Sequence, residues 1–112
     1  MLFFLPTAEL KAVYDNVVVQ KGSNVTLTCQ GYLHPDDKVS WNYVYRRHTI
    51  PPNITNKNYV EKFHWTGERT SSLHITNVSK TDVGKYKCTV YFKGLNRILE
   101  DFINLKFYES GK

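Results

Sequence analysis

The chain has 112 residues, 41% of them hydrophobic and 22% charged, a length that suits one domain and a balance that excludes both a disordered segment and a membrane-embedded one. Its longest apolar run, Leu2 to Leu5, is closed at once by Pro6 and falls far short of the roughly 18 residues that a membrane span needs. The net charge of +5 comes from fifteen Lys and Arg spread from Lys11 to Lys112, with Arg46-Arg47 the only adjacent pair. Such scatter reads as solvated surface charge; it admits an acidic protein partner or a glycosaminoglycan and gives no basic, aromatic-interleaved motif for nucleic acid.

Met1 to Pro6 lacks the basic start and the length of a signal peptide, so Met1 reads as an added start rather than a native one. From Asn16 to Gln30 two β-rich runs flank the turn residues Lys21-Gly22-Ser23. In the second run Val25, Leu27 and Cys29 alternate with Thr26, Thr28 and Gln30, the period of a strand with one face in a core. Gly31 to Asp37 reads as a loop. Lys38 to Arg46 alternates again, with Val39, Trp41, Tyr43 and Tyr45 on one face and Ser40, Asn42, Val44 and Arg46 on the other. Adjacent Pro51 and Pro52 mark a second loop.

Val60 to Trp65 and Ser71 to Thr76 read as short strands, and Asn77 to Val83 as a polar turn. Gly84 to Phe92 forms a strand with Tyr86, Cys88 and Val90 inward; Lys93 to Arg97 is a hairpin loop, and Leu99 to Phe107 the last strand. No segment sustains a helical apolar period, and seven or more short strands imply an all-β sandwich or barrel in a single domain over residues 1–112, its core from about 13 to 108.

Cys29 lies inward on an early strand, Cys88 inward on a late one, and Trp41 follows the first cysteine closely. In a sandwich the two sulfurs can meet across the sheets with the indole over them, and Tyr86, two residues before Cys88, can bond a backbone carbonyl at the corner before its strand. Through Cys29, Trp41, Ser72-Leu-His-Ile75 and Asp82-Val-Gly-Lys-Tyr-Lys-Cys88 the chain resembles the immunoglobulin superfamily, of the variable or intermediate set. The resemblance implies an immunoglobulin-like two-sheet antiparallel β-sandwich with a Cys29–Cys88 disulfide between the sheets, and therefore an extracellular address, on a cell surface or secreted. Three Asn-x-Ser/Thr sequons, at Asn24, Asn53 and Asn77, agree with that address. Lys62-Phe63 looks like the Arg-Phe that opens strand D of variable-type domains, which implies an ion pair between Lys62 and Asp82. The last strand lacks the Gly-x-Gly bulge of antigen-receptor domains, so pairing of that kind is not expected.

His34, His48, His64 and His74 stand without further ligands at metal spacing, and there is no nucleophile elbow, His-Glu-x-x-His or phosphate-binding glycine loop. No enzyme, metal or cofactor is expected. The resemblance points instead to a protein-recognition module of a receptor or adhesion protein. The alternatives are a structural spacer in a multi-domain chain and a secreted decoy, including a viral one. The face of strands G, F and C decides between binder and spacer, and it is expected to present Val44, Arg46, Thr89, Tyr91 and Phe102, with Lys93, Leu95 and Arg97 from the adjoining loop.

Overall fold

The computed structural model describes residues 9–32, 37–44, 48–51, 54–64, 67–92 and 96–108. Nine strands account for most of them: β1 (Glu9–Ala12), β2 (Asn16–Gln20), β3 (Val25–Tyr32), β4 (Val39–Tyr43), β5 (His48–Thr49), β6 (Lys57–Phe63), β7 (Glu68–Ile75), β8 (Gly84–Phe92) and β9 (Arg97–Tyr108), with a 3-10 turn at Lys80–Asp82. One sheet runs β1-β3-β7-β6 and the other β2-β9-β8-β4-β5. Every pairing is antiparallel except that of β2 with β9. The strands expected from Val60, Ser71 and Leu99 begin earlier than their apolar pattern suggests, at Lys57, Glu68 and Arg97, whereas β8 spans Gly84–Phe92 as expected, and β1 and β5 carry too few residues to show a period. Leu10 on β1 is buried, so the core starts before residue 13.

The first chain segment serves both sheets. It pairs with β3 as β1, crosses over between Ala12 and Asn16, and continues as β2 beside β9. Ala12 N–H donates to Asp101 Oδ2 at 2.7 Å as the chain leaves the first sheet. Gly31 makes the approach possible, because a Cβ there would run into the Glu9 carbonyl.

Alternation decides what enters the core. On β3 Val25, Leu27 and Cys29 are buried, and on β8 so are Tyr86, Cys88 and Val90. Cys29 and Cys88 are bridged, their Cα atoms 6.6 Å apart. Trp41 lies beside Cys88 in the β4–β8 register and Ser71 beside Cys29 in the β3–β7 register, and the buried indole Nε1–H donates to Ser71 Oγ at 3.0 Å. Two neighbouring links, one covalent and one a hydrogen bond, thus join the same rows of both sheets.

A second set of links closes the end of the sandwich where β8 begins. The buried Tyr86 hydroxyl donates to the Asp82 carbonyl at 2.6 Å, and the Tyr43 hydroxyl donates to the Val83 carbonyl. Tyr43 and Tyr86 meet edge to face, with centroids 5.1 Å apart. Gly84, at φ 142, leaves room for the Tyr43 ring, which any Cβ would strike.

The Asp82 carboxylate is buried and receives donors from three residues. Lys57 Nζ lies 2.8 Å from Oδ1, Ser79 N–H donates to Oδ2 at 2.9 Å, and Asn56 Nδ2 stands 3.1 Å from both oxygens. The cation is therefore Lys57 and not Lys62. Lys57 opens β6 opposite Ile75, whereas Lys62 lies opposite Thr70, about 16 Å further along the strand and on its other face, as the odd offset requires. At the level expected of Lys62, the buried cation is Arg69, 3.2 Å from Glu61 and 5.2 Å from the centre of the Phe63 ring.

Burial pushes the Asp82 carboxyl up, but the hydrogen bonds from Lys57, Ser79 and Asn56 and the charge of Lys57 outweigh it and hold it below its ordinary value. A carboxyl whose pKa is depressed by folding adds stability that is present above its unfolded value, about 3.9, and is lost as pH falls through the folded value. Stability should therefore decline on acidification below about pH 4, and Lys57→Met should lower it at neutral pH by about 2 kcal/mol, between the exposed and buried limits for an ion pair. Lys62→Met should leave both quantities unchanged in urea titrations across pH. In the same assay the Cys29→Ala, Cys88→Ala double variant should lose about 4 kcal/mol, and Ser71→Ala, which leaves the indole N–H without its acceptor, about 1 to 2 kcal/mol.

Candidate functional site

With Trp41, Tyr86 and Cys88 inward, the alternate residues of β4, β8 and β9 face out from the five-stranded sheet. The register sets Tyr91 opposite Ile98, Thr89 opposite Glu100 and Ser40, and Lys87 opposite Phe102 and Asn42. Tyr91 is 50% exposed, Ile98 64% and Phe102 36%. Large apolar side chains held in water on a rigid sheet are not needed by the core. Basic groups surround them. Lys85 Nζ lies 5.4 Å from the centre of the Phe102 ring, Lys87 pairs with Glu100 at 3.7 Å, and Lys106 follows on the same face of β9. At the far end the Tyr91 hydroxyl donates to Asn96 Oδ1, which holds the phenol against the start of β9.

Tyr91, Thr89 and Phe102 thus occupy the expected face, and Val44, half-buried, lies at its opposite end with its N–H donated to the Lys85 carbonyl at 2.9 Å. Arg97 does not belong there. It is paired with Phe92, in the phase of the inward residues, and is exposed. Its neighbour Ile98 takes the outward place opposite Tyr91, a position ahead of Leu99, from which the apolar pattern of the last strand becomes visible in the sequence. Arg46, Lys93 and Leu95 lie outside the described residues.

The outer face of the other sheet has a different chemistry. Its cross-strand pairs satisfy one another: Thr26 Oγ1 with His74 Nδ1 at 2.7 Å, Thr28 Oγ1 with Ser72 Oγ at 3.0 Å, and Gln30 Nε2 with Glu68 Oε2 at 2.7 Å. Two of the three sequons meet at one end of this sheet. Asn24 precedes β3, Asn77 follows β7, both are exposed, and Asn77 N–H donates to Asn24 Oδ1 at 3.0 Å. That bond uses the amide oxygen and leaves the Asn24 Nδ2, where a sugar would attach, unengaged by it. Asn53 lies outside the described residues. Among the described residues no group of three His, Cys, Asp or Glu side chains could hold a metal ion, and no helix is long and apolar enough to cross a membrane.

The model of the family described as immunoglobulin domain matches residues 9–91. The human leucine-rich repeats and immunoglobulin-like domains protein 2 is 36% identical over 86 residues, 73% of this chain and 8% of that protein, so the chain spans a small part of its relative's length. Among solved structures, Dpr2 Ig1-Ig2 in complex with DIP-Theta Ig1-Ig3 superposes with a TM-score of 0.75 at 20% identity, covering 93% of this chain and 33% of that one. The N-terminal eight Ig domains of the Down syndrome cell adhesion molecule give 0.74 at 23% identity, covering 91% and 15%. Both superpositions speak to the fold, and domains of this kind in adhesion and structural proteins are generally not enzymes. Since the family match runs from β1 into β8 and takes in both bridged cysteines, the chain belongs to the immunoglobulin domain family.

Proposed function

We propose that this domain is an extracellular protein-recognition module of a receptor or adhesion protein, and that it binds its partner through the outer face of β4, β8 and β9 together with the loop from β8 to β9. One observation carries the reading: the two outer faces differ in kind. The four-stranded sheet presents hydroxyls and amides already paired with each other, with Tyr32 and Val60 exposed singly at the end of β3 and on the edge strand β6, whereas the five-stranded sheet sets Tyr91 and Ile98 directly opposite each other in solvent on its central strands, with Phe102 further along the same face. A partner gains little by displacing bonds that are already satisfied, and more by covering apolar surface.

Lys85, Lys87 and Lys106 form a basic rim that suits an acidic protein partner, affecting association rate and salt sensitivity more than residence time. Glycans at Asn24 and Asn77 would cover the end of the opposite sheet and leave this face open. The disulfide supports a domain that matures in an oxidising compartment, outside the cell or on its surface. A spacer role is the second reading, favoured by the small share that this chain has of its multi-domain relative.

The test is multivalent display of the domain against arrays of extracellular domains and intact cells, followed by an alanine scan with folding checked for each variant. Tyr91→Ala should cost about 2 kcal/mol of binding, Ile98→Ala and Phe102→Ala about 1 to 2 kcal/mol, and Lys85→Ala less at physiological salt. Thr26→Ala and His74→Ala should bind as the wild type does. Normal binding by the Tyr91 and Ile98 variants, with loss in the Thr26 or His74 variants, would move the site to the other sheet.

A further inference from the structure

β2 is an edge. β9 lies parallel on one side of it, and among the described residues no strand lies on the other. Asn104 N–H donates to the Asp15 carbonyl at 2.9 Å, which fixes the phase of the ladder. The backbone groups of Asp15, Val17 and Val19 turn toward β9, and the N–H and C=O of Asn16 and Val18 turn to the open side.

Open edges in soluble domains are commonly guarded by charge, proline or a bulge. The β6 edge of the other sheet follows that rule with Lys57, Glu61 and Lys62. The β2 edge does not. Its five residues, Asn16-Val-Val-Val-Gln20, carry neither charge nor proline, Val18 is 58% exposed, and Tyr14 just before the strand is 70% exposed. Charges stand only at the two flanks, Asp15 on one side and Lys21 on the other, both exposed.

The order of residue types from Asp15 to Lys21 is acid, amide, three valines, amide, base. Laid antiparallel on a second copy about a two-fold axis through Val18, the segment sets Val18 against Val18, Val17 against Val19, Asn16 against Gln20, and Asp15 against Lys21 at both ends. The backbone agrees with the side chains. In an antiparallel ladder alternate opposed residues exchange their N–H···O bonds, and in this register the central exchange falls on Val18, whose N–H and C=O already point outward. Gln20 C=O accepts from Ser23 N–H at 3.0 Å, so the exchange at Val18 carries the argument without it.

We propose that the β2 edge is a self-association site, at which two copies of this domain pair β2 to β2 and join their five-stranded sheets into one. The contact lies on the strand edge, beside the β4-β8-β9 face and separate from its apolar centre, so it does not depend on the reading given above. A contact of five residues a side buries less than a stable dimer needs, and its affinity belongs in the weak range that matters at high local concentration.

Sedimentation velocity of the 112-residue chain, from about 10 μM to about 1 mM at moderate salt, reads the equilibrium directly over the range expected for so small an interface. The wild type should pass from monomer to dimer across that range. Val18→Lys sets two ammonium groups opposite each other across the axis and should weaken association at least about tenfold, with the thermal midpoint unchanged because the side chain is exposed. Asp15→Lys should weaken it by several-fold, and adding Lys21→Asp should restore it, since the exchange keeps the complementarity. Tyr91→Ala should leave it untouched. A chain that remains monomeric at about 1 mM, or a dimer indifferent to Val18→Lys, would overturn the proposal. Loss of association in Asp15→Lys without recovery in the double variant would overturn the register. Should Val18→Lys fail to fold, the charge-exchange pair decides alone.

Discussion

The architecture depends on one row of residues. Cys29 and Ser71 are neighbours in one sheet, Trp41 and Cys88 in the other, and each residue of the first pair is tied to one of the second, the sulfurs by a bond and Trp41 to Ser71 by a hydrogen bond. Four strands are thereby fixed in phase at the same level. Because side chains alternate strictly along a strand, fixing which residue points inward at one position fixes every outward residue of β3, β4, β7 and β8. The exposure of Tyr91 and the burial of Val90 follow from Cys88 by that rule.

The far end of the sandwich is held differently. There the links are polar, converging on the turn before β8: two tyrosine hydroxyls on its carbonyls, and three donor residues on the buried Asp82 carboxylate. A buried carboxylate is costly unless its oxygens are satisfied, and here the donors come from the segment that opens β6 as well as from the turn itself. The cluster thus joins the first strand residue of one sheet's edge to the entry of the other sheet's central ribbon. It anchors β8 at the end opposite Tyr91, so that the outward face is carried on a strand fixed both at its middle and at its start.

Two kinds of surface emerge from this frame. On the four-stranded sheet, three pairs drawn from Thr, Ser, Gln, Glu and His are bonded across the strands, and Tyr32 and Val60 stand exposed beside them. On the five-stranded sheet, aromatic and aliphatic side chains stand among lysines. The edges differ in the same sense, charged at β6 and neutral at β2. The exposed row of Tyr91, Ile98 and Phe102 and the uncharged β2 edge belong to one sheet.

The alternation of Val25 to Cys29, the inward phase of Cys88, and the placing of Trp41 and Tyr86 were legible in the sequence, because each depends only on the two-residue period of a strand and on side chains too large or too apolar to leave outside. The partners of those residues were not. Ser71 as the acceptor for the indole, Lys57 instead of Lys62 as the cation for Asp82, and Ile98 instead of Arg97 on the outward face all depend on which residue of one strand lies opposite which residue of another. The crossing of the first segment from β1 to β2 is of the same kind, since its short runs show no period that would reveal a change of sheet. The sequence by itself determined the fold family and the residues of the core, through local periodicity and bulk. The tertiary structure alone decided the register between strands, where a shift of one residue exchanges core for solvent and no property of a single strand records the choice.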